Sequence, residues 1–176
     1  MKSIRVSAPG KLHLLGEHTV VYGKPAIITA VDRRCFITVA PREDKKIEII
    51  SENLKAQKFV TEQEIIDKTK SAQKSWETYI KTNDATLLKS ITSAPLDYAV
   101  IIIGETLKYL KKKINSGFSF KIKSDIPIGS GMGSSAALAV SITGAVFLLF
   151  NEDFNKEAIN EIAFLAEQKK HGFPSG

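Results

Sequence analysis

Apolar and polar positions alternate strand-fashion through the first fifty residues and then shift to a helical spacing. Residues 3–8, 26–31 and 35–40 are rich in β-branched and apolar side chains with turn residues between them, and Lys46–Ile50 continues that character. From 62 to 82 the chain turns charged, with Ile65, Ile66, Trp76 and Ile80 at roughly helical spacing, which predicts an amphipathic helix. Asp97–Ile114 predicts a second, more apolar helix, and Phe118–Lys123 alternates with the period of a half-buried strand. Ala136–Phe150 is apolar all round, which predicts a central buried helix. A last helix is predicted over 155–170, with Ala158, Ile159, Ile162, Phe164, Leu165 and Ala166 as its buried positions. The fold class is α+β, a sheet at the start with helices packed on it, without internal repeats or linkers.

At 176 residues the chain is long enough for one domain with a proper core. Its net charge of +6 comes mostly from dispersed lysines, so solvated surface accounts for most of them. Lys111–Lys113, the densest run, falls at the end of a predicted helix, where cations complement the dipole. No basic stripe interleaved with aromatics is present, so nucleic acid is not an expected partner, whereas an anionic small molecule is compatible. The single cysteine, Cys35, excludes an internal disulfide, fits a reducing compartment and reads as a buried, inert thiol. No apolar run follows Lys2 and Arg5 as a secretory signal would require, and the apolar run at 136–150 is short for a membrane span. A cytoplasmic protein without a membrane partner is expected.

Candidate chemistry is concentrated in two segments. The first reads Pro127, Ile128, Gly129, Ser130, Gly131, Met132, Gly133, Ser134, Ser135, Ala136, Ala137 and opens the apolar helix. Glycines at alternate positions allow positive φ and close backbone approach. A helix starting at the serines, one of them available as N-cap, would gather free N–H groups and the positive dipole end at one anion site. No lysine follows Gly133 as a Walker A loop needs, and the spacing differs from the dinucleotide fingerprint. A plain strand-to-helix turn is the alternative, although three glycines and the adjoining hydroxyls exceed what a turn requires. The second segment, Ala8 to Ala26, carries Lys11, Glu17 and His18, a cation, a carboxylate and an imidazole within eight residues. It reads either as a catalytic or substrate-binding set or as an ordinary surface loop.

Taken together, the two segments resemble the GHMP kinase superfamily of small-molecule kinases. Ala8-Pro-Gly-Lys followed by Gly16-Glu-His-Thr-Val-Val-Tyr-Gly is similar to its mevalonate kinases, and Val20 stands where a galactokinase would carry a sugar-binding aspartate. The end, Glu167-Gln-Lys-Lys-His-Gly-Phe-Pro-Ser-Gly176, resembles the family segment leading to a catalytic aspartate. The resemblance implies the family's N-terminal fold (ribosomal protein S5 domain 2-like) over residues 1–176. It implies that Pro127–Ala137 wraps the ATP phosphates, that Ser135 and Glu167 hold Mg²⁺, that Lys11 stabilises developing charge, and that Glu17 and His18 line a mevalonate pocket. His13 and His171 have no matched role and are expected to be structural. A homodimer is expected only by family analogy. The aspartate would fall two residues past Gly176, with a C-terminal domain after it. The chain is therefore expected to be an N-terminal part, nearly inactive alone, with apolar surface exposed. Another kinase of the superfamily, for phosphomevalonate or a sugar, and a non-catalytic nucleotide-binding module are the alternatives.

Overall fold

The computed structural model describes residues 2–174, so Ser175 and Gly176, the end of the Glu167–Gly176 motif, lie outside the described residues. β1 (Ile4–Leu15) runs antiparallel to β2 (Ile27–Arg42), which pairs on its other side with β5 (Gly117–Ser124). β5 is parallel to β3 (Ile47–Ser51), which hairpins with β4 (Ala56–Val60), giving the order β1-β2-β5-β3-β4. A parallel β3–β5 pair needs a crossover, and the helices α1 (Glu62–Thr82), α2 (Ala85–Ile91) and α3 (Asp97–Leu110) supply it. α4 (Ser134–Leu149) and α5 (Lys156–His171) follow β5.

The turn expected between 31 and 35 is a bulge inside one strand of 16 residues. Pro9 faces Arg34 while the next residue, Gly10, faces Val31, so Asp32 and Arg33 are looped out of the ladder. The slip brings the glycine loop against β1: a Cβ on Gly10 would stand 2.9 Å from the Met132 carbonyl oxygen. The helix expected to reach Ile114 stops at Leu110. Lys111 turns left-handed, the Lys112 N–H returns to the Leu107 carbonyl, and the Ile114 N–H is drawn off to Glu62 Oε2 at 3.0 Å. β4 and α2 were not foreseen; β4 is a short edge strand and α2 a single capped segment, with the Asp84 side chain accepting from the Thr86 N–H.

α4 is the centre of the packing. It lies across β1 and β2 and is flanked by α3 and α5. Ala139, Ile142 and Ala145 are fully buried, and each large apolar side chain so buried contributes about 1.5–3 kcal/mol. Of its buried hydroxyls, Ser141 Oγ donates to the Cys35 carbonyl at 3.1 Å and Thr143 Oγ1 accepts from Thr106 Oγ1 at 3.4 Å. Cys35 is buried as expected, and burial pushes its thiol up to about 11, with hydrogen bonds from Ser124 and Ser141 opposing. On α5, Ala158, Ile159, Ile162 and Ala166 are buried, but Phe164, expected in the core, is 38 % exposed. The far end of the β1–β2 ribbon is different: Leu12, Leu14, Leu15, Ile27 and Ile28 are each 45–66 % exposed.

Candidate functional site

The loop after β5 is pinned at both ends and open in the middle. Ile126 is buried to 1 % exposure, and the Asp125 N–H donates to the Arg34 carbonyl at 2.8 Å. Gly129, Gly131 and Gly133 then take φ of +76°, +73° and +68°, where a side chain is strained. Nothing lies within 4 Å of a Cβ built on Gly129 or Gly131, whereas one on Gly133 would meet Lys11 Cγ at 2.8 Å. The Lys11 N–H donates to the Met132 carbonyl at 3.0 Å, which ties the loop to β1.

The serine N-cap expected for α4 is not found. Gly133 is the N-cap, it offers no side chain, and Ser134 already begins the helix. The Ala137 N–H makes the first helical bond, to the Gly133 carbonyl at 2.9 Å. Helix geometry therefore leaves the N–H groups of residues 134–136 facing the loop without an intrahelical acceptor. With no serine to cap them, these donors are available to an anion.

α5 forms the facing wall. Ser135 Oγ donates to Glu167 Oε2 at 3.0 Å, and His171 Nε2 lies 3.3 Å from the same hydroxyl and 3.8 Å from Glu167 Oε2. His171, expected to be structural, thus lines the cavity beside Ser135 and Glu167. Its signal was its place one turn beyond Glu167 on the same face. The Tyr98 hydroxyl, from α3, donates to Glu167 Oε1, and the Lys170 ammonium sits 4.5 Å over the Tyr98 ring. No local pattern marks Tyr98, which is 69 residues from its partner. Burial pushes the Tyr98 phenol well up, and the Glu167 charge adds to this. Burial pulls Lys170 and His171 below their ordinary values, with Glu167 opposing in both and Lys170 adding to the depression of His171.

Lys11 and Glu17 reach the same cavity of about 430 Å³ as Gly129, Gly131, Gly133, Ser134, Ser135, Ala136 and Glu167. Phe164, displaced from the core, lines it as well. Lys11 Nζ lies 2.6 Å from His13 Nδ1, so His13 orients the lysine. His18 is exposed in the turn after β1 and does not line the cavity. Pro127, Ile128, Ser130, Met132 and Ala137 shape the loop: Ser130 Oγ donates to the Pro127 carbonyl at 2.8 Å, Ile128 is 67 % exposed and Ala137 is buried. A larger groove of about 540 Å³ between α1 and α3 is lined by Ile65, Ile66 and Leu107 together with Glu62, Glu77 and several lysines.

The donor set suits one kind of cation. Among the described residues no three His, Cys, Asp or Glu side chains gather around a common point, so a metal cage of side chains is not built. Ser135 and Glu167 offer two hard oxygens beside free N–H groups, which fits a cation that keeps waters and takes its other ligands from phosphate.

Comparison with known proteins places the fold in a family. The model of the GHMP kinases N terminal domain matches residues 91–176, and that of the galactokinase galactose-binding signature matches residues 2–41. The mevalonate kinase of Pyrococcus furiosus is 36% identical over 170 residues, covering 97% of this chain and 46% of the relative. Human mevalonate kinase is 29% identical over 97% of this chain and 49% of its own length. The chain spans about half the length of the curated relatives it matches. The crystal structure of Methanococcus jannaschii mevalonate kinase superposes with a TM-score of 0.78 at 26% identity, over 97% of this chain and 48% of that one. Lactococcus lactis galactokinase complexed with galactose shares the fold, with a TM-score of 0.72 at 24% identity over 99% of this chain and 40% of that one. The chain belongs to the GHMP kinases and carries their N-terminal domain.

Proposed function

We propose that this protein is the ATP-binding part of a cytoplasmic mevalonate kinase, which transfers the γ-phosphoryl group of ATP to the mevalonate 5-hydroxyl. The observation that carries the reading is the meeting of Ser135 Oγ and Glu167 Oε2 at the uncapped start of α4, with Lys11 across the same cavity. In this reading the Gly129–Ser135 backbone cradles the phosphates, and Ser135 and Glu167 hold Mg²⁺. Mg²⁺, when bound, neutralises charge on the phosphate oxygens. Lys11, oriented by His13, stabilises the negative charge that grows during transfer. Glu17 faces the acceptor from the cavity wall, whereas His18 stands exposed outside the cavity and is given no contact with the acceptor in this reading.

The names of the aligned relatives support mevalonate as acceptor, as does Val20 in place of a sugar-binding aspartate. No helix among the described residues is long and apolar enough to cross a membrane, which fits a cytoplasmic enzyme. A general base for the acceptor hydroxyl contributes about 10²–10⁴ in rate to a transfer of this kind. A second reading, a sugar kinase, is favoured by the galactose-binding signature over residues 2–41. Full-length protein assayed with ATP, Mg²⁺ and a panel of acceptors should release ADP with mevalonate. Turnover with galactose and none with mevalonate would move the assignment to the second reading.

A further inference from the structure

The Glu167 carboxylate is shared between two partners that arrive from different helices. Ser135 Oγ, at the start of α4, holds Oε2 at 3.0 Å, while the Tyr98 hydroxyl, on α3, holds Oε1. Packing alone does not need that hydroxyl, since a phenylalanine ring would fill the same volume. The ring is anchored: Tyr98 is 7 % exposed, and α3 from Ala99 to Leu107 is buried throughout. Asp97, one residue earlier, is clamped by Lys58 Nζ at 2.9 Å and Lys68 Nζ at 2.7 Å, which fixes where α3 begins. Lys170, three residues beyond Glu167, puts its ammonium 4.5 Å over the same ring. Two charged side chains of α5 therefore close on one tyrosine from opposite sides of its polarity, the carboxylate on its hydroxyl and the ammonium on its face.

We propose that Tyr98 is a positioning residue that occupies Oε1 of Glu167 and so presents the carboxylate to the cation through Oε2 alone, beside Ser135. The inference rests on the phosphate-and-Mg²⁺ reading of the site and deepens it. A single-oxygen carboxylate suits Mg²⁺, which demands octahedral geometry and keeps waters, whereas Ca²⁺ readily takes both carboxylate oxygens. Tyr98 thus sets cation choice without touching the cation. Partners of this kind typically change metal affinity by about 10–100-fold when removed.

The test is a Mn²⁺ titration of the purified full-length protein with ATP, read by electron paramagnetic resonance, with Mg²⁺ and Ca²⁺ as competitors. Tyr98→Phe should weaken Mn²⁺ binding by about tenfold or more and raise the ratio of Ca²⁺ to Mg²⁺ affinity. Tyr98→Phe placed on Glu167→Gln should add nothing further, because both act through one carboxylate. 3-Fluorotyrosine at position 98 keeps the hydroxyl and gives a reading independent of any loss of stability. Its ¹⁹F resonance should move when Mg²⁺ is added to the ATP complex. Wild-type binding with an unchanged Tyr98→Phe affinity and cation ratio, or an unmoved ¹⁹F resonance, overturns the inference while leaving the site reading intact. Absence of cation-dependent binding in the wild type overturns both.

Discussion

The two walls of the cavity are built to different standards. On the wall proposed for the nucleotide, α4 and α5 are locked by buried side chains and by the chain of contacts Tyr98–Glu167–Ser135, and the glycine loop is tied to β1 by the Lys11 N–H on the Met132 carbonyl. On the wall proposed for the acceptor, Lys11 on β1 and Glu17 in the turn after it adjoin a ribbon whose Leu12, Leu14, Leu15, Ile27 and Ile28 are exposed. A packed wall holds its geometry without help, because core side chains sit in single, close-packed arrangements. A ribbon exposing that much apolar surface needs a partner surface before it can hold a substrate in register. Under the proposed function, phosphate binding would rest on this chain's own packing, and acceptor alignment would depend on what covers the ribbon.

Substitutions on the two walls should separate binding from turnover. In the full-length protein Ser135→Ala and Glu167→Gln should each lower kcat by about 10²–10³ and weaken ATP only when Mg²⁺ is present. Lys11→Met should cost turnover on the same scale yet leave Mg²⁺–ATP affinity within a few-fold. Equal loss of nucleotide affinity in Lys11→Met would erase the distinction.

The same contrast should appear in stability. Ile142→Ala, at a position with 0 % exposure, should cost about 2–5 kcal/mol in urea unfolding. Leu15→Ser, at 66 % exposure, should change stability by about 0.5 kcal/mol or less and reduce self-association in light scattering. A large destabilisation by Leu15→Ser would show that the ribbon is packed after all.

A smaller effect concerns the start of α3. Burial raises the Asp97 carboxyl, but hydrogen bonds from Lys68, Lys58 and the Ala94 N–H outweigh it and hold the group below its ordinary 3.8. Because the folded value is the lower one, the stabilisation is present above pH 3.8 and is lost as pH falls through the folded value. The gap in melting temperature between wild type and Asp97→Asn should be widest near neutrality and close below that pH. Least of all, Cys35 should stay unreactive to thiol reagents at pH 8 in the folded protein, since its thiol ionises only near 11.

Local chemistry made much of this legible. The apolar run at 136–150 forecast α4, and the alternate glycines forecast a loop with three positive φ values. Thr61 and Glu64 form a capping box at the start of the amphipathic helix that the spacing indicated. What escaped depends on distant partners. The β2 bulge goes with the approach of Met132 to Gly10, and the meeting of Tyr98 with Glu167 with the packing of α3 on α5. Residues 31–35 carry turn-like polarity that the sheet overrides, because β1 pairs on both sides of the bulge. His171 shows the middle case: its helical spacing from Glu167 was readable, but that both would face Ser135 was not.

Calorimetric titration of ATP into the protein with and without Mg²⁺ tests the central claim most directly, run on the wild type, Glu167→Gln and Glu17→Gln. The account predicts binding that Mg²⁺ tightens in the wild type and in Glu17→Gln, and a loss of that Mg²⁺ effect in Glu167→Gln. Binding indifferent to Mg²⁺ in the wild type, or equally impaired by both substitutions, would contradict it.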